Sequence, residues 1–132
     1  MLIPKPLPHH GYTQNFTGRE ALAPFKIQTS GSGYYFVKLV EVSTGADAVH
    51  LFVHGGNTIE IDVPLGSYYL KYAAGQTWYG LGEYFGYETA YSESSTILTF
   101  SSNSYNYMGN SVTLYRVQGG NMHTQSINKN SF

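Results

Sequence analysis

Residues 58–72 constrain the fold more than any other stretch. Ile59, Ile61 and Val63 alternate with Glu60 and Asp62, Pro64-Leu65-Gly66 follows, and a second run, Tyr68 to Tyr72, comes after it. Apolar residues at period two put one side of a strand against a core and the other in water, and a proline–glycine turn between two such runs predicts an antiparallel hairpin. A hairpin alone is unstable in water, so further strands must cover its apolar side.

Those strands are spaced as an all-β domain needs. Phe25 to Thr29 predicts a short strand, and Ser30-Gly31-Ser32-Gly33 a turn. Tyr34 to Val42 is a longer strand rich in β-branched and aromatic residues. Val49 to Val53, Thr96 to Ser101 and Ser111 to Val117 add three more, and His123 to Ile127 predicts an eighth, edge strand, paired to the seventh across a turn at Gly119-Gly120-Asn121. The only helix-like run, Arg19 to Ala23, stops at Pro24. The expected fold is all-β: an antiparallel two-sheet sandwich of seven or eight strands, immunoglobulin-like or transthyretin-like. Val37, Leu39, Leu51, Val53, Ile59, Ile61, Val63, Leu70, Phe100, Val112 and Leu114 should face inward. Lys38, Glu60, Asp62, Lys71 and Thr113 should face outward. Residues 1–18, with Pro4, Pro6 and Pro8, form an extended N-terminal segment, irregular from Gly11 to Gly18, and residues 19–132 a single domain.

Composition narrows the chemistry. The chain has no cysteine, which excludes disulfides and thiolate sites. Seven Lys and Arg against eight Asp and Glu leave no cationic footprint, so no nucleic-acid partner is expected. No run approaches the ~18 apolar residues of a membrane span, so this segment should not insert into a bilayer. No signal peptide is visible before the prolines. The expected compartment is the envelope or beyond it if an anchor precedes Met1, and the cytoplasm if the chain is complete.

Several short motifs fall in a characteristic order. They are Val37-Lys38-Leu39-Val40, Gly55-Gly56, Val63-Pro64-Leu65-Gly66, Tyr72-Ala73, Thr77-Trp78-Tyr79-Gly80, Phe85-Gly86, Thr89, Tyr91-Ser92, Val112-Thr113-Leu114 and Gly120-Asn121. In this order the chain resembles, from about Pro24 to Phe132, a family of small, functionally uncharacterised bacterial and prophage-encoded proteins. The pattern Val63-Pro64-Leu65-Gly66-Ser67-Tyr68 is more loosely similar to hairpins of transthyretin-like and immunoglobulin-like accessory domains. The resemblance implies a prophage or bacterial setting and no catalytic residues.

His50 and His54 are four apart, which on a strand separates them by about 13 Å, too far for one ion. No metal site and no cofactor is expected. Glu83, Glu88 and Glu93 flank an aromatic loop and admit a carboxylate-pair hydrolase, or simply keep that loop soluble. There is no G-x-S-x-G elbow and no phosphate-binding loop. The aromatic loop from Trp78 to Tyr91 is the strongest candidate, because large amphipathic rings dominate binding surfaces. Trp78 and Phe85 read as a lid on the core. Tyr79, Glu83, Tyr84, Tyr87 and Tyr91 read as the ligand- or partner-binding set. The expected function is a non-enzymatic binding or accessory domain that engages a protein or a glycan, with the loop from Ser101 to Asn110 as a secondary surface. The alternatives are a small hydrolase using Glu83 or Glu88, and an oligomer-forming structural domain with Tyr34, Tyr35 or the edge strands at a subunit contact.

Overall fold

The computed structural model describes residues 3–29, 33–94, 96–103, 105–114, 124–127, 129 and 132. Among them are eleven strands: β1 (Thr13–Asn15), β2 (Ala23–Thr29), β3 (Tyr34–Glu41), β4 (Asp47–His54), β5 (Thr58–Val63), β6 (Gly66–Gly75), β7 (Ala90–Ser94), β8 (Leu98–Ser102), β9 (Tyr107–Met108), β10 (Asn110–Leu114) and β11 (Thr124–Ser126). A 3-10 turn spans Gly86–Glu88. The larger sheet runs β1-β4-β3-β6-β7-β11, with β8 also on β6 and β9 on β8, and the smaller runs β10-β2-β5. The protein is therefore all-β.

Both runs at residues 58–72 are strands, β5 and β6, but they do not form the expected hairpin: the Pro64-Leu65-Gly66 turn carries the chain from one sheet to the other, β5 pairing with β2 and β6 with β3, β7 and β8. Among the described residues every pairing is antiparallel except β10 with β2, which is parallel. Thr124–Ser126 pairs with β7; the expected pairing of this strand with the seventh across Gly119-Gly120-Asn121 falls largely outside the described residues. Three strands carry no alternation that sequence could reveal. β1 lies in the stretch expected to be irregular, and its Thr, Gln and Asn are all exposed. β7 buries Ser92 and Ser94 and turns Tyr91 and Glu93 the other way, the reverse of the usual pattern. β9 is two residues long. The turn at residues 30–32, residues 115–117 of the seventh expected strand, the turn at Gly119-Gly120-Asn121 and His123 lie outside the described residues.

One core joins the two sheets. Ala23, Phe25 and Ile27 of β2, Val112 and Leu114 of β10 and Val63 of β5 meet Val37 and Leu39, Leu51 and Val53, Tyr68, Leu70 and Tyr72, and Leu98 and Phe100 of the larger sheet. Every residue expected to point inward belongs to this core, with Ile59 and Ile61 at its half-buried margin. Lys38 departs from expectation: it is only 6% exposed. β3 is buried along both faces, because the side of the larger sheet that faces away from the core is itself covered. A strand covered twice reads as a continuous apolar run, which here is Tyr-Tyr-Phe-Val, with Lys38 and then Leu-Val after it.

The Val63-Pro64-Leu65-Gly66-Ser67-Tyr68 pattern has a specific physical basis. The Tyr68 hydroxyl, on a fully buried ring, donates to the Pro64 carbonyl at 2.7 Å and closes the turn from inside. Arg19 donates to the same hydroxyl at 3.3 Å and pairs with Glu41 at 2.7 Å. Tyr68→Phe strands the buried Pro64 carbonyl, so we expect a loss of about 1–2 kcal/mol. Urea unfolding should show a lower midpoint with an unchanged m-value.

Candidate functional site

The covered face of the larger sheet is built by strand register. Directly opposed residues of an antiparallel pair share a face. Phe52, Phe36, Ala73 and Tyr91 therefore form one row across β4, β3, β6 and β7. Gln14, His50, Lys38, Lys71 and Glu93 form a polar row beside it, from β1 to β7. Ala73 and Gly75 are the smallest members of this face, and the aromatic loop descends where they lie. A Cβ at Gly75 would overlap the Phe85 side chain. Phe36, Phe52, Ala73, Trp78 and Phe85 make a second buried cluster, with Tyr34, Tyr84, Tyr91 and Phe132 packed against it.

The loop takes its shape from its glycines. Gly80, Gly82 and Gly86 sit at φ of 96°, 92° and 72°. Tyr79 and Tyr84 close a tight turn, Tyr79 N–H donating to Tyr84 O at 2.7 Å and Tyr84 N–H to Gly80 O at 2.8 Å. Thr89 Oγ1 accepts from Phe85 N–H at 3.0 Å and donates to Gly86 O at 2.7 Å, which ties the loop's exit. Tyr84 is the one non-glycine residue among those described with positive φ, at 54°. That conformation costs a bulky residue about 1–3 kcal/mol. Its ring stacks on Phe36 at 5.4 Å and meets Phe132 edge-on at 5.0 Å, and these contacts offset the strain.

The residues singled out in the sequence separate into two groups. Glu83, Tyr87 and Tyr91 line a depression of about 400 Å³ together with Gly86, Thr89 and Lys129. Tyr87 is fully exposed. Glu83 carries an exposed ion pair with Lys129 at 3.5 Å, of a kind that contributes little stability. Tyr79 and Tyr84 are half-buried and lie outside this depression. Trp78 and Phe85 are buried beneath the loop. Glu88 is exposed, and Glu93 is half-buried at the end of the polar row.

The N-terminal segment covers the rest of this face. Lys5 N–H donates to Trp78 O at 2.9 Å, Gly11 N–H to Phe52 O at 2.8 Å and Phe52 N–H back to Tyr12 O at 2.9 Å. His54 is engaged twice: its N–H donates to His10 Nδ1 at 3.1 Å, and its Nε2 donates to Pro8 O at 2.9 Å. A cleft of about 580 Å³ remains between this strap and the sheet, floored by Phe36, Phe52 and Trp78 and edged by His50 and Gln14. His50 pairs instead with Asp47 at 2.8 Å, so the two strand histidines have separate partners. Among the described residues no three His, Asp or Glu side chains gather where a metal ion would sit.

Sequence reasoning missed the surroundings of Lys38. Its Nζ donates to the backbone oxygen of Phe132 at 2.8 Å and lies 3.8 Å from Asp47. Burial lowers its pKa; the Asp47 charge opposes that shift and Lys71 adds to it. A lysine inside an otherwise apolar strand was the available signal. Burial likewise raises the Tyr84 phenol, helped by Tyr91 and Asp47 and opposed by a Gly82 backbone hydrogen bond. No protein-family model, curated protein or solved structure matches this chain.

Gly75→Ala should drive Phe85 off the sheet. We expect a loss of about 1–3 kcal/mol and a red-shifted emission from Trp78, the chain's single tryptophan. Lys38→Met separates the cost of the buried charge. Below its lowered folded pKa, Lys38 is charged in both folded and unfolded chains, and the burial penalty is present in full. Between that value and the ordinary 10.5 the unfolded chain holds more protons. The unsubstituted protein should therefore gain stability with rising pH in that window relative to Lys38→Met, as read by urea midpoints in an alkaline series.

Proposed function

We propose that this protein is a non-enzymatic binding or accessory domain that engages a protein or a glycan through the rim of its aromatic loop. The observation that carries this reading is Tyr87. Its ring stands fully in solvent, yet the loop that bears it is anchored by Trp78, Tyr84 and Phe85 on the sheet beneath. An amphipathic ring held out on a rigid base loses little entropy on contact, which is what a binding anchor requires. Glu83, Lys129 and Thr89 around it supply both hydrogen-bond donors and acceptors. The immunoglobulin-like or transthyretin-like sandwich belongs to the same proposal. Its support is the single core shared by two sheets and the tyrosine-closed Val63–Tyr68 turn. The prophage or cell-envelope setting rests on the sequence resemblance alone.

Tyr87→Ala removes an exposed ring and touches no core, so folding and Trp78 emission should be unchanged. Capture of partners from bacterial envelope extracts, and binding on a glycan array, should fall by about 30-fold, as for a hot-spot anchor. Retention of every partner by a normally folded Tyr87→Ala protein would overturn the reading. So would turnover of a glycoside substrate that Glu83→Gln abolishes.

A further inference from the structure

The environment of Lys38 has the composition of a ligand site that is already filled. An ammonium buried in the middle of a sheet needs close partners. Phe132 provides two of them: a backbone oxygen 2.8 Å from Nζ and a ring whose centroid lies 4.2 Å from it. Asp47, at 3.8 Å, is a looser third. The Phe132 ring in turn meets Tyr84 at 5.0 Å, Tyr91 at 5.2 Å and Phe36 at 6.2 Å. These three rings and Lys38 come from β3, the aromatic loop and β7, while Phe132 arrives from beyond β11. A single residue therefore fills an aromatic cage and satisfies a buried cation, once through an acceptor oxygen and once through a π face.

We propose that Phe36, Lys38, Tyr84 and Tyr91 form a peptide-binding site that takes one aromatic residue together with its main-chain oxygen, and that Phe132 occupies it in cis. The partner is a peptide segment carrying Phe or Tyr. The cation favours an oxygen with negative charge, so a terminal carboxylate on that aromatic residue binds best. The strained Tyr84 belongs to the site as one wall of the cage, since αL backbone places its ring between Phe36 and Phe132. The inference rests on the binding-domain reading and names the partner as a peptide. Phe132, held close by its own chain, acts as a tethered competitor that an external peptide must displace.

The test uses Phe132→Ala and the synthetic hexapeptide Ile-Asn-Lys-Asn-Ser-Phe, the sequence of residues 127–132. Calorimetry and Trp78 emission report binding, Trp78 lying 6.4 Å from Tyr84. We expect saturable binding to Phe132→Ala with a Kd below about 1 mM. Affinity should fall at least about tenfold when Lys38→Met is added, because a charge-assisted bond is lost. It should fall similarly for the peptide ending in Ala, and for the unsubstituted protein, where Phe132 competes. No saturable binding to Phe132→Ala at about 5 mM peptide, or binding indifferent to Lys38→Met, overturns the proposal. If Phe132→Ala loses the native emission, the unsubstituted protein decides. About 10 mM peptide must then shift the NMR resonances of the Lys38 ε-methylene, and an unmoved signal overturns the proposal. Tyr87→Ala distinguishes the two readings. It should leave peptide binding intact while partner capture falls, and peptide binding that fails while Tyr87-dependent capture persists defeats this inference alone.

Discussion

A sheet buried on both faces needs two covers, and the described residues supply one small sheet for this. The three strands β10, β2 and β5 cover one side of β3 and its neighbours. The opposite side is covered by irregular chain: the glycine-punctuated loop, the proline-rich N-terminal strap and Phe132. Irregular chain brings unpaired backbone groups with it, and each must find a partner. Lys5 on Trp78, Gly11 and Tyr12 on Phe52 and Thr89 on Phe85 and Gly86 are those partnerships. The second cover is therefore held by specific hydrogen bonds in addition to its aromatic packing, where the first is held by apolar packing.

This difference accounts for where the unusual features gather. Positive φ at Tyr84, the buried ammonium of Lys38 and the close approach of Phe85 to Gly75 all lie under the irregular cover. The opposite core contains alternating aliphatic and aromatic side chains with the turn-closing Tyr68 at its edge. Costs of the first kind persist only where surrounding contacts over-determine them.

Sequence made the conventional core legible. The alternation in β5 and β10 announces which residues face inward, and those residues are where it places them. It could not reveal the double burial of β3, because a run covered twice loses its period, and Lys38 looks like the polar member of an alternating strand. β7 was hidden for the opposite reason: its inward positions are Ser92 and Ser94. Within the loop, Tyr84 and Tyr87 are the same residue type three positions apart, yet one is packed against Phe36 and the other stands in solvent. A local backbone choice at Tyr84 and a contact with Phe132, nearly fifty positions away, decide between them. The proline-rich start reads as a spacer because proline predicts extended chain, and extended chain is also what lies along β4 and closes over its face.

The parallel pairing of β10 with β2 has a consequence for synthesis. Phe25 lies opposite Asn110, 85 positions later. β2 gains its first neighbour, β5, early, but its other edge stays open while the ribosome works through those 85 residues, about 4–17 seconds at usual bacterial and eukaryotic elongation rates. An unpaired strand edge is a template for another chain. For that interval the nascent chain carries Phe25 and Ile27 on a strand with one neighbour, so yield in the cell depends on how well that edge is shielded until the last part of the chain arrives.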